Sequence, residues 1–524
     1  METTDIASRR RQAYKKGLDP ARARQARADA TMAIRKKKQA EAIAKRRRQR
    51  IPTSPSIDLV EESKGDAPST IPVPSLDEVP SVIMRLHSLP DGPDRVHALK
   101  ALRRYVASPQ ASFDALLSAG TQVLDIIFAY VKHPNPEAVC DALWILSNLA
   151  STDDHTGIVA TKPGFILHVV SVCLKSPSAI IRDQVIWLLG NVAGESGSYR
   201  LALAAIPDFG PNLMSYTKEL LARPSMAHEE LDSLTWLCAN MASETNEHPP
   251  LFEWAKTWGL PVMEAIVFDK GALRAGLGSS TLESVMWCLR HLTFDDTDDS
   301  SRVEFLASQA MWMAFIASWL TNPGLMASPS CALPALRLAG NFCSGTTAQT
   351  ERMIRIDIIS IFLQHMAKSS SKAIRTEAAF SLSNIAGDEA FYGHLLADST
   401  LEIITKSFAH GPIEVRLQLC YLFNHIIDFR KDAVPTLVEK FRAFNWFKAV
   451  VSSMKLPSKS IFYKCLLMVN DLLTLNDELT IDFEEAGIVD LLDEESVKDH
   501  PPKTAALLES LMNDYFDDGA TIEA

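Results

Sequence analysis

Three stretches of the chain carry one pattern: AVCDALWILSNLA at 138–150, IRDQVIWLLGNVAGES at 181–196 and LDSLTWLCANMAS at 231–243. In each stretch the apolar residues recur at the spacing of a helical face, and a Trp lies four residues before an Asn. Diverged forms of the pattern follow at LESVMWCLRHLT (282–293), ALPALRLAGNFCSG (332–345), IRTEAAFSLSNIAGD (374–388), VRLQLCYLFNHII (415–427) and IFYKCLLMVNDLL (461–473). The pattern therefore predicts a chain built from helical repeats.

The Asn of the pattern, or the His that replaces it, measures the length of each repeat. It falls at residues 148, 191, 240, 291, 341, 384, 425 and 470. The intervals of 41 to 51 residues are close to the period of armadillo and HEAT repeats, which is roughly 40 to 47 residues. A unit of this size cannot bury its apolar face alone, so neighbouring units must stack. Adding HALKALRRYVAS (97–108) and TAALLESLMNDYF (504–516), we predict an all-α, right-handed superhelical armadillo-repeat solenoid of about ten repeats.

Charge is distributed unevenly along the chain. Residues 1–50 carry a net charge of +12, whereas the remaining residues carry −23. The basic stretch has too few apolar residues to fold alone, and the prolines that follow it predict an extended linker. We predict a disordered basic segment at 1–50, a flexible linker at 51–75, the solenoid at 76–515 and an acidic C-terminal tail at 516–524. Opposite charges favour contact between the basic segment and the body, and an acidic body attracts cationic partners.

Several classes of protein are disfavoured by the composition. The eight cysteines are scattered without a CxxC pair, which favours thiols in a reducing compartment. No apolar run of about 18 residues predicts a membrane span, and the charged start is not typical of a secretory signal. No metal-binding spacing and no set of nucleophile, base and orienting residue can be assembled. We therefore expect no metal, no cofactor and no enzymatic activity.

The repeated Trp and Asn indicate a chemistry. A spacing of four residues places both on one helical face. Parallel indoles of neighbouring repeats are predicted to form slots for the stems of Lys or Arg, while the Asn amides hold the backbone of an extended peptide. A single pair is more simply a core Trp with a structural amide. Because core positions vary among aliphatic residues, the same pair in three consecutive repeats favours a surface that binds basic peptides.

Over essentially its full length the chain resembles importin alpha. The resemblance rests on the repeated WxxxN, on LTWLCANMASETNEHPP (234–250), and on RRQAYKKG (10–17) followed by IRKKKQAEAIAKRRRQ (34–49). It implies a nuclear import adaptor that binds Lys/Arg-rich nuclear localisation signals in its groove. The basic segment would link cargo to importin beta and also autoinhibit the groove. The resemblance further implies recycling by an exportin with Ran-GTP, shuttling between cytoplasm and nucleus, and no contact with membranes or direct contact with nucleic acid.

The resemblance also assigns binding residues to this sequence. The major peptide site would be formed by Trp144, Asn148, Gln184, Trp187, Asn191, Glu195, Trp236 and Asn240. An eroded minor site would be formed by Arg337, Asn341, Phe380 and Asn384, with Tyr421 and His425 in the next repeat. The importin-beta-binding and autoinhibitory residues would be Arg35, Lys36, Lys45, Arg46, Arg47 and Arg48. The sequence departs from the family at Glu195, where Asp is usual, at Ser233, where Asn is frequent, and at Trp287 with His291.

Other functions remain open from the residues alone. One is an armadillo scaffold that binds basic protein segments without importin beta, or whose basic segment binds nucleic acid. That segment lacks interleaved aromatic residues other than Tyr14, which disfavours base stacking. Another is a platform for long acidic peptides, which would require a basic groove. The body is acidic, so basic ligands are favoured.

Overall fold

Helices make up the regular secondary structure of the described residues. The computed structural model describes residues 72–108, 111–118, 121–151, 155–223, 228–243, 251–269, 276–294, 301–429 and 434–516, and no strand occurs in these ranges. The predicted all-α class is confirmed. The basic segment, most of the linker and residues 517–524 lie outside the described residues, so the predicted boundaries of these segments stay predictions.

The described residues form two units, one ending at Leu292 and the other beginning at Thr293. Each unit contains five helices that carry the repeated pattern, which we call ladder helices. In the N-terminal unit they are α1 (Pro93–Val106), α2 (Pro136–Leu149), α3 (Ala179–Glu195), α4 (His228–Met241) and α5 (Ser279–Leu292). In the C-terminal unit they are α6 (Pro329–Cys343), α7 (Lys372–Ile385), α8 (Ile413–Phe429), α9 (Lys459–Leu475) and α10 (Pro502–Leu511). Within each unit every ladder helix packs on the next, as stacked repeats require.

Further helices cover the ladder helices in both units. In the N-terminal unit these are Val79–Ser88, Phe113–Ser118, Thr121–Tyr130, Thr156–Ala160, Phe165–Ser171, Gly197–Ala204, Phe209–Leu221, Phe252–Trp254 and Leu260–Val267. In the C-terminal unit they are Ser301–Ala307, Ala310–Leu320, Pro323–Ala327, Thr347–Ile354, Ile358–Lys368, Tyr392–Leu395, Asp398–His410, Val434–Ala443, Trp446–Met454, Thr480–Glu485 and Ile488–Ser496. Short 3-10 turns at Leu76–Glu78, Cys173–Lys175, Glu389–Phe391 and Asp477–Leu479, and π-helical turns at Ala255–Gly259 and Met512–Phe516, complete the set.

Polar side chains cap the N-termini of four ladder helices, α2, α3, α7 and α9. The side chain of Asn135 accepts a hydrogen bond from the backbone N–H of the second residue of α2. Ser178, Ser371 and Ser458 do the same for the N–H of the third residue of α3, α7 and α9. Because the first N–H groups of a helix have no partner within it, each cap contributes about 1 kcal/mol. In these four helices the cap fixes where the helix begins and hence which of its residues share a face.

Tryptophans occupy two kinds of environment. Trp312, Trp319 and Trp446 lie in covering helices of the C-terminal unit and are at most 2% exposed, so they are core residues. The repeated tryptophans of the ladder helices α2, α3 and α4 are instead half-buried. Burial separates the repeated Trp from the core Trp, as a surface function of the ladder requires.

Two further features concern the chain as a whole. No disulfide joins any of the eight cysteines, all of which lie in the described ranges. No single helix of the described residues is long and apolar enough to cross a bilayer, although Ser301–Ala307 and Ala310–Leu320 meet these criteria as a pair bent by 88°.

Candidate functional site

The ladder helices of the N-terminal unit bring the repeated Trp and Asn residues into two parallel rows. Trp144 and Asn148 lie on α2, Trp187 and Asn191 on α3, and Trp236 and Asn240 on α4. The three Trp side chains are half-buried and the three Asn side chains are buried. The sequence-predicted residues are therefore on neighbouring helices and in register.

The Asn amides of this row have a structural role, and only the structure identifies their partners. The Nδ2 of Asn191 donates to the backbone carbonyl of Ser147 on the preceding helix at 2.8 Å, and the Nδ2 of Asn240 donates to that of Gly190 at 2.9 Å. Asn148 donates within its own helix, to the carbonyl of Trp144, at 2.8 Å. An amide N–H donates along a defined direction, so the inter-helix bond fixes the orientation of the group. Asn191 and Asn240 thus join successive repeats, whereas the amide of Asn148 is fixed within its own helix.

The rings of Trp187 and Trp236 differ from the predicted arrangement. Their centroids are 4.7 Å apart and their planes are inclined by 35°. An alkyl stem needs van der Waals contact of about 3.5 to 4 Å on each side, so none fits between these two rings. The prediction of a slot with parallel walls at this position is wrong. The two indoles instead pack on each other and form one continuous aromatic surface across α3 and α4.

A glycine explains why Trp236 lies so close to α3. A Cβ atom at Gly190 would overlap the six-membered ring of Trp236, and a Cβ at Gly194 would lie 3.2 Å from Nδ2 of Asn240. The absence of side chains at these two positions lets the ring and the amide rest against the preceding helix. Both glycines are visible in the sequence as WLLGNVAG, but only the packing shows that they position residues of the next repeat.

Trp144, the first ring of the row, is in contact with Arg103, which the sequence analysis did not identify. The guanidinium carbon of Arg103 on α1 lies 5.4 Å from the centroid of Trp144, and its Nε is 3.1 Å from a carboxylate oxygen of Asp141. Asp141 precedes Trp144 by almost one helical turn and is buried; burial raises its pKa to about 6. A lone carboxylate on an otherwise apolar helical face was the signal that a cationic partner exists.

The remaining predicted residues of this unit are placed as follows. Gln184 is buried on α3, and Glu195 is the last residue of that helix and half-buried. Ser233, where the family often has Asn, is buried and donates to the carbonyl of Glu229 in its own helix at 2.9 Å.

Trp287 and His291 on α5 are buried with their rings 5.8 Å apart. The aromatic row is therefore most accessible on α2 to α4.

The C-terminal unit repeats the layout with different residues. Arg337 on α6 forms a buried ion pair with Glu377 on α7 at 3.1 Å, at the place that Arg103 and Asp141 have in the other unit.

Phe380 on α7 is buried. The Nδ2 of Asn384 is 3.5 Å from the carbonyl of Gly340, which it approaches across the helix pair. The amide of Asn341 donates to the hydroxyl of Thr293 at 3.0 Å.

The last ring of this second row is covered by a lysine of the chain. Nζ of Lys464 on α9 is 3.8 Å from the ring centroid of Tyr421 on α8. Four residues beyond Tyr421, burial and the nearby Lys464 charge lower the pKa of His425 to about 4, so the imidazole is neutral at pH 7. Sequence analysis placed Tyr421 and His425 at the end of an eroded site but did not identify Lys464.

The predicted residues Arg35, Lys36, Lys45, Arg46, Arg47 and Arg48 lie outside the described residues. In the described parts of the chain, no group of three or more His, Cys, Asp or Glu side chains is arranged to hold a metal ion.

Comparison with known proteins finds one matching family model and several similar proteins. Residues 10–92 match the family described as importin beta binding domain. The chain is 27% identical over 263 residues to importin subunit alpha-1b of Oryza sativa subsp. japonica (50% of this chain, 44% of that protein) and 26% identical over 381 residues to importin subunit alpha-1a of the same plant (72% and 65%). It is 23% identical over 385 residues to importin subunit alpha-2 of Caenorhabditis elegans (71% and 66%). The chain thus spans about half to two thirds of the length of these relatives.

Among solved structures, the crystal structure of an engineered protein aligns with a TM-score of 0.66 at 16% identity, covering 84% of this chain and 99% of that one. This likeness concerns the fold alone and agrees with the predicted armadillo-type repeat architecture. The importin beta binding domain match and the named relatives show what the chain is similar to, namely importin alpha subunits, at 23 to 27% identity.

Proposed function

We propose that the protein is a nuclear import adaptor, without enzymatic activity, that binds Lys/Arg-rich localisation signals along α2 to α4. The observation that carries this proposal is the row of three half-buried tryptophans, each four residues before an Asn tied to its surroundings. A core would not require the same half-buried ring in three successive repeats. A peptide-binding surface does, because successive side chains of an extended peptide meet successive repeats.

The chemistry of the row suits basic side chains. An indole face attracts a cation by about 0.5 to 2 kcal/mol, depending on how far the pair is removed from water, and its area covers the alkyl stem. Because Trp187 and Trp236 pack together, the bound stems lie across their joint surface and against Trp144. The net charge of −23 on residues 51–524 adds long-range attraction for a basic peptide.

The Asn residues complete the proposed site. Asn191 and Asn240 are oriented by their bonds to the preceding helix and recur at a regular spacing along the row. An extended peptide has one N–H and one C=O per residue, and an amide matches both. The residues proposed for the major site are Trp144, Asn148, Gln184, Trp187, Asn191, Glu195, Trp236 and Asn240.

Residues 1–50 are proposed to bind importin beta. The match of residues 10–92 to the importin beta binding domain supports this role. The same segment carries +12 on a chain whose remainder is acidic, so it is also proposed to occupy the groove when importin beta is absent. Tethering gives such an internal ligand an effective concentration near the millimolar range. Recycling by an exportin with Ran-GTP, and shuttling between cytoplasm and nucleus, belong to the same proposal.

Binding of a fluorescent peptide with one Lys/Arg cluster, followed by anisotropy with and without importin beta, tests the proposal. We expect the full-length chain to bind the peptide, and importin beta to tighten that binding by capturing residues 1–50. A matched peptide with Glu in place of each basic residue is the control and is expected not to bind. Binding of the acidic peptide, or of a nucleic acid in preference to the basic peptide, would support one of the alternative scaffold functions instead.

A further inference from the structure

The end of the aromatic row in the C-terminal unit contains a cation that belongs to the protein. Lys464 projects from α9 and Tyr421 from α8, and the 3.8 Å between Nζ and the ring centroid places the ammonium in direct contact with the ring. Attraction between a cation and a ring extends to about 6 Å, so this pair is at the close end of the range. Tyr421 occupies the position that Trp144, Trp187 and Trp236 have in their repeats.

The surroundings of Lys464 leave the ring as its main favourable contact. Burial holds the pKa of Lys464 below its ordinary value, and the nearby thiols of Cys420 and Cys465 offset this only in part. No carboxylate of the described residues is within salt-bridge distance of its ammonium. His425 is neutral at pH 7 and offers no negative charge. A half-buried ammonium without an acidic partner depends on the electron-rich face of Tyr421 for compensation.

Arg103 in the N-terminal unit provides a contrast. It also lies over a ring of the row, Trp144, but at 5.4 Å, and its charge is paired with Asp141 at 3.1 Å. Arg103 is therefore anchored by a carboxylate and rests beside the ring. Lys464 is anchored by the ring itself, so it takes the place that a cation from a bound peptide would need.

We propose that Lys464 is an internal ligand of Tyr421 that closes the last aromatic position of the C-terminal unit to basic side chains of a bound peptide. This inference rests on the proposed function, since it concerns which cations reach the groove. Lys464 is a specificity-determining residue in this view: it restricts tight recognition to the N-terminal unit and disfavours peptides with a second basic cluster. Removing its charge opens a cation site on Tyr421 that the native protein keeps filled.

The test compares two peptides on the full-length chain, one with a single basic cluster and one with a second cluster upstream of it. Lys464→Met keeps most of the stem and removes the charge. We expect this variant to bind the two-cluster peptide about 3 to 10 times more tightly than the native chain does, which corresponds to about 0.7 to 1.4 kcal/mol from one cation–ring contact. Affinity for the one-cluster peptide is expected to stay the same.

Three variants separate this effect from others. Lys464→Arg retains a cation over the ring and is expected to show no gain. Lys459→Met removes an exposed charge at the start of the same helix, away from the ring, and measures the general effect of lowering positive charge. Lys464→Met combined with Tyr421→Leu removes the ring as well and is expected to lose the gain. An equal gain for both peptides, or a gain that survives Tyr421→Leu, would overturn the inference.

Melting temperatures give a readout that does not involve peptides. If Lys464 and Tyr421 are coupled, the double variant is less destabilised than the sum of the two single variants, because the second change removes a contact that is already lost. Additive shifts would contradict the internal contact. A chain that binds neither peptide would refute the proposed function and with it the exclusion of basic side chains by Lys464, whereas the contact between Lys464 and Tyr421 would still be decided by this cycle of variants.

Discussion

The two units share a row that begins with an arginine–carboxylate pair, but they differ in the aromatic residues that follow it. In the N-terminal unit, an arginine paired with a carboxylate is followed by three half-buried indoles, two of which pack on each other at 4.7 Å. In the C-terminal unit, an arginine–carboxylate pair at the same distance is followed by a buried phenylalanine and by a tyrosine covered by a lysine. The arginine–carboxylate pair lies at the same place in the two rows, so the residues that follow it distinguish the rows. Ring area and the presence of an internal cation decide which row is available to a basic ligand.

The largest difference between the units is expected from removal of the rings. Trp187→Ala with Trp236→Ala removes the joint aromatic surface of α3 and α4. Affinity for a one-cluster basic peptide is expected to fall by about 2 to 4 kcal/mol, which is roughly 30- to 1000-fold, as measured by fluorescence anisotropy.

The matching change in the other unit is Phe380→Ala, which is expected to alter affinity for the one-cluster peptide less than about twofold. Circular dichroism melting curves serve as the folding control for both variants. If Phe380→Ala weakens binding as much as the double Trp variant does, the two units contribute equally to binding of the basic peptide, which contradicts the expected difference between them.

A smaller effect is expected from two glycines at matching positions. A Cβ at Gly190 meets the rigid ring of Trp236, whereas a Cβ at Gly340 meets the small side chain of Ser381, whose Oγ would be 2.6 Å away. Gly190→Ala must displace the indole and is expected to weaken basic-peptide binding about tenfold, as calorimetry would measure. Gly340→Ala is expected to weaken it less than twofold because the Ser381 side chain is small enough to rotate away.

Gly393→Ala is the control for these glycine variants, since a Cβ there meets nothing within 4 Å and the residue is helical. It is expected to leave binding unchanged. Equal losses for the variants at Gly190 and Gly340 would mean that Trp236 is not positioned through the close approach to α3.

A second basic cluster is expected to add little affinity in the native chain. Phe380 offers a smaller ring than an indole, Arg337 is paired with Glu377, and Lys464 covers Tyr421. A two-cluster peptide is therefore expected to bind less than tenfold more tightly than its one-cluster parent, by calorimetry on the full-length chain. A hundredfold gain would show that the C-terminal unit binds cations as strongly as the N-terminal unit does.

The smallest expected effect concerns the anchor of Arg103. Burial raises the pKa of Asp141 to about 6 from an ordinary value of 3.8. Between these values the folded protein holds a proton that the unfolded chain has lost, so this group lowers stability as pH rises from about 4 to 6. The melting temperature of the native chain minus that of Asp141→Asn should therefore decrease by a few degrees over this range. A difference that is constant with pH would contradict the raised pKa.

Most of the fold was predictable because helical repeats produce a regular pattern of residue types in the sequence. The apolar periodicity of α2, α3 and α4 and their Trp-to-Asn spacing depend only on helical geometry, which is local, and the predicted all-α repeats are confirmed. The capping residues Asn135 and Ser178 are local signals of the same kind. The site was predictable as a set of residues on one face of each ladder helix, although its role in binding peptides stays a proposal.

By itself, the sequence determined the repeat, the helical class, the charge difference between residues 1–50 and the remainder, and which residues recur at equivalent positions. Only the tertiary structure decided how those residues meet. The contact of Trp187 with Trp236, the bond from Asn240 to the carbonyl of Gly190, and the covering of Tyr421 by Lys464 each join residues about 40 to 50 positions apart. Such contacts depend on the distance and rotation between packed helices, which follow from the whole interface and not from the spacing within one helix.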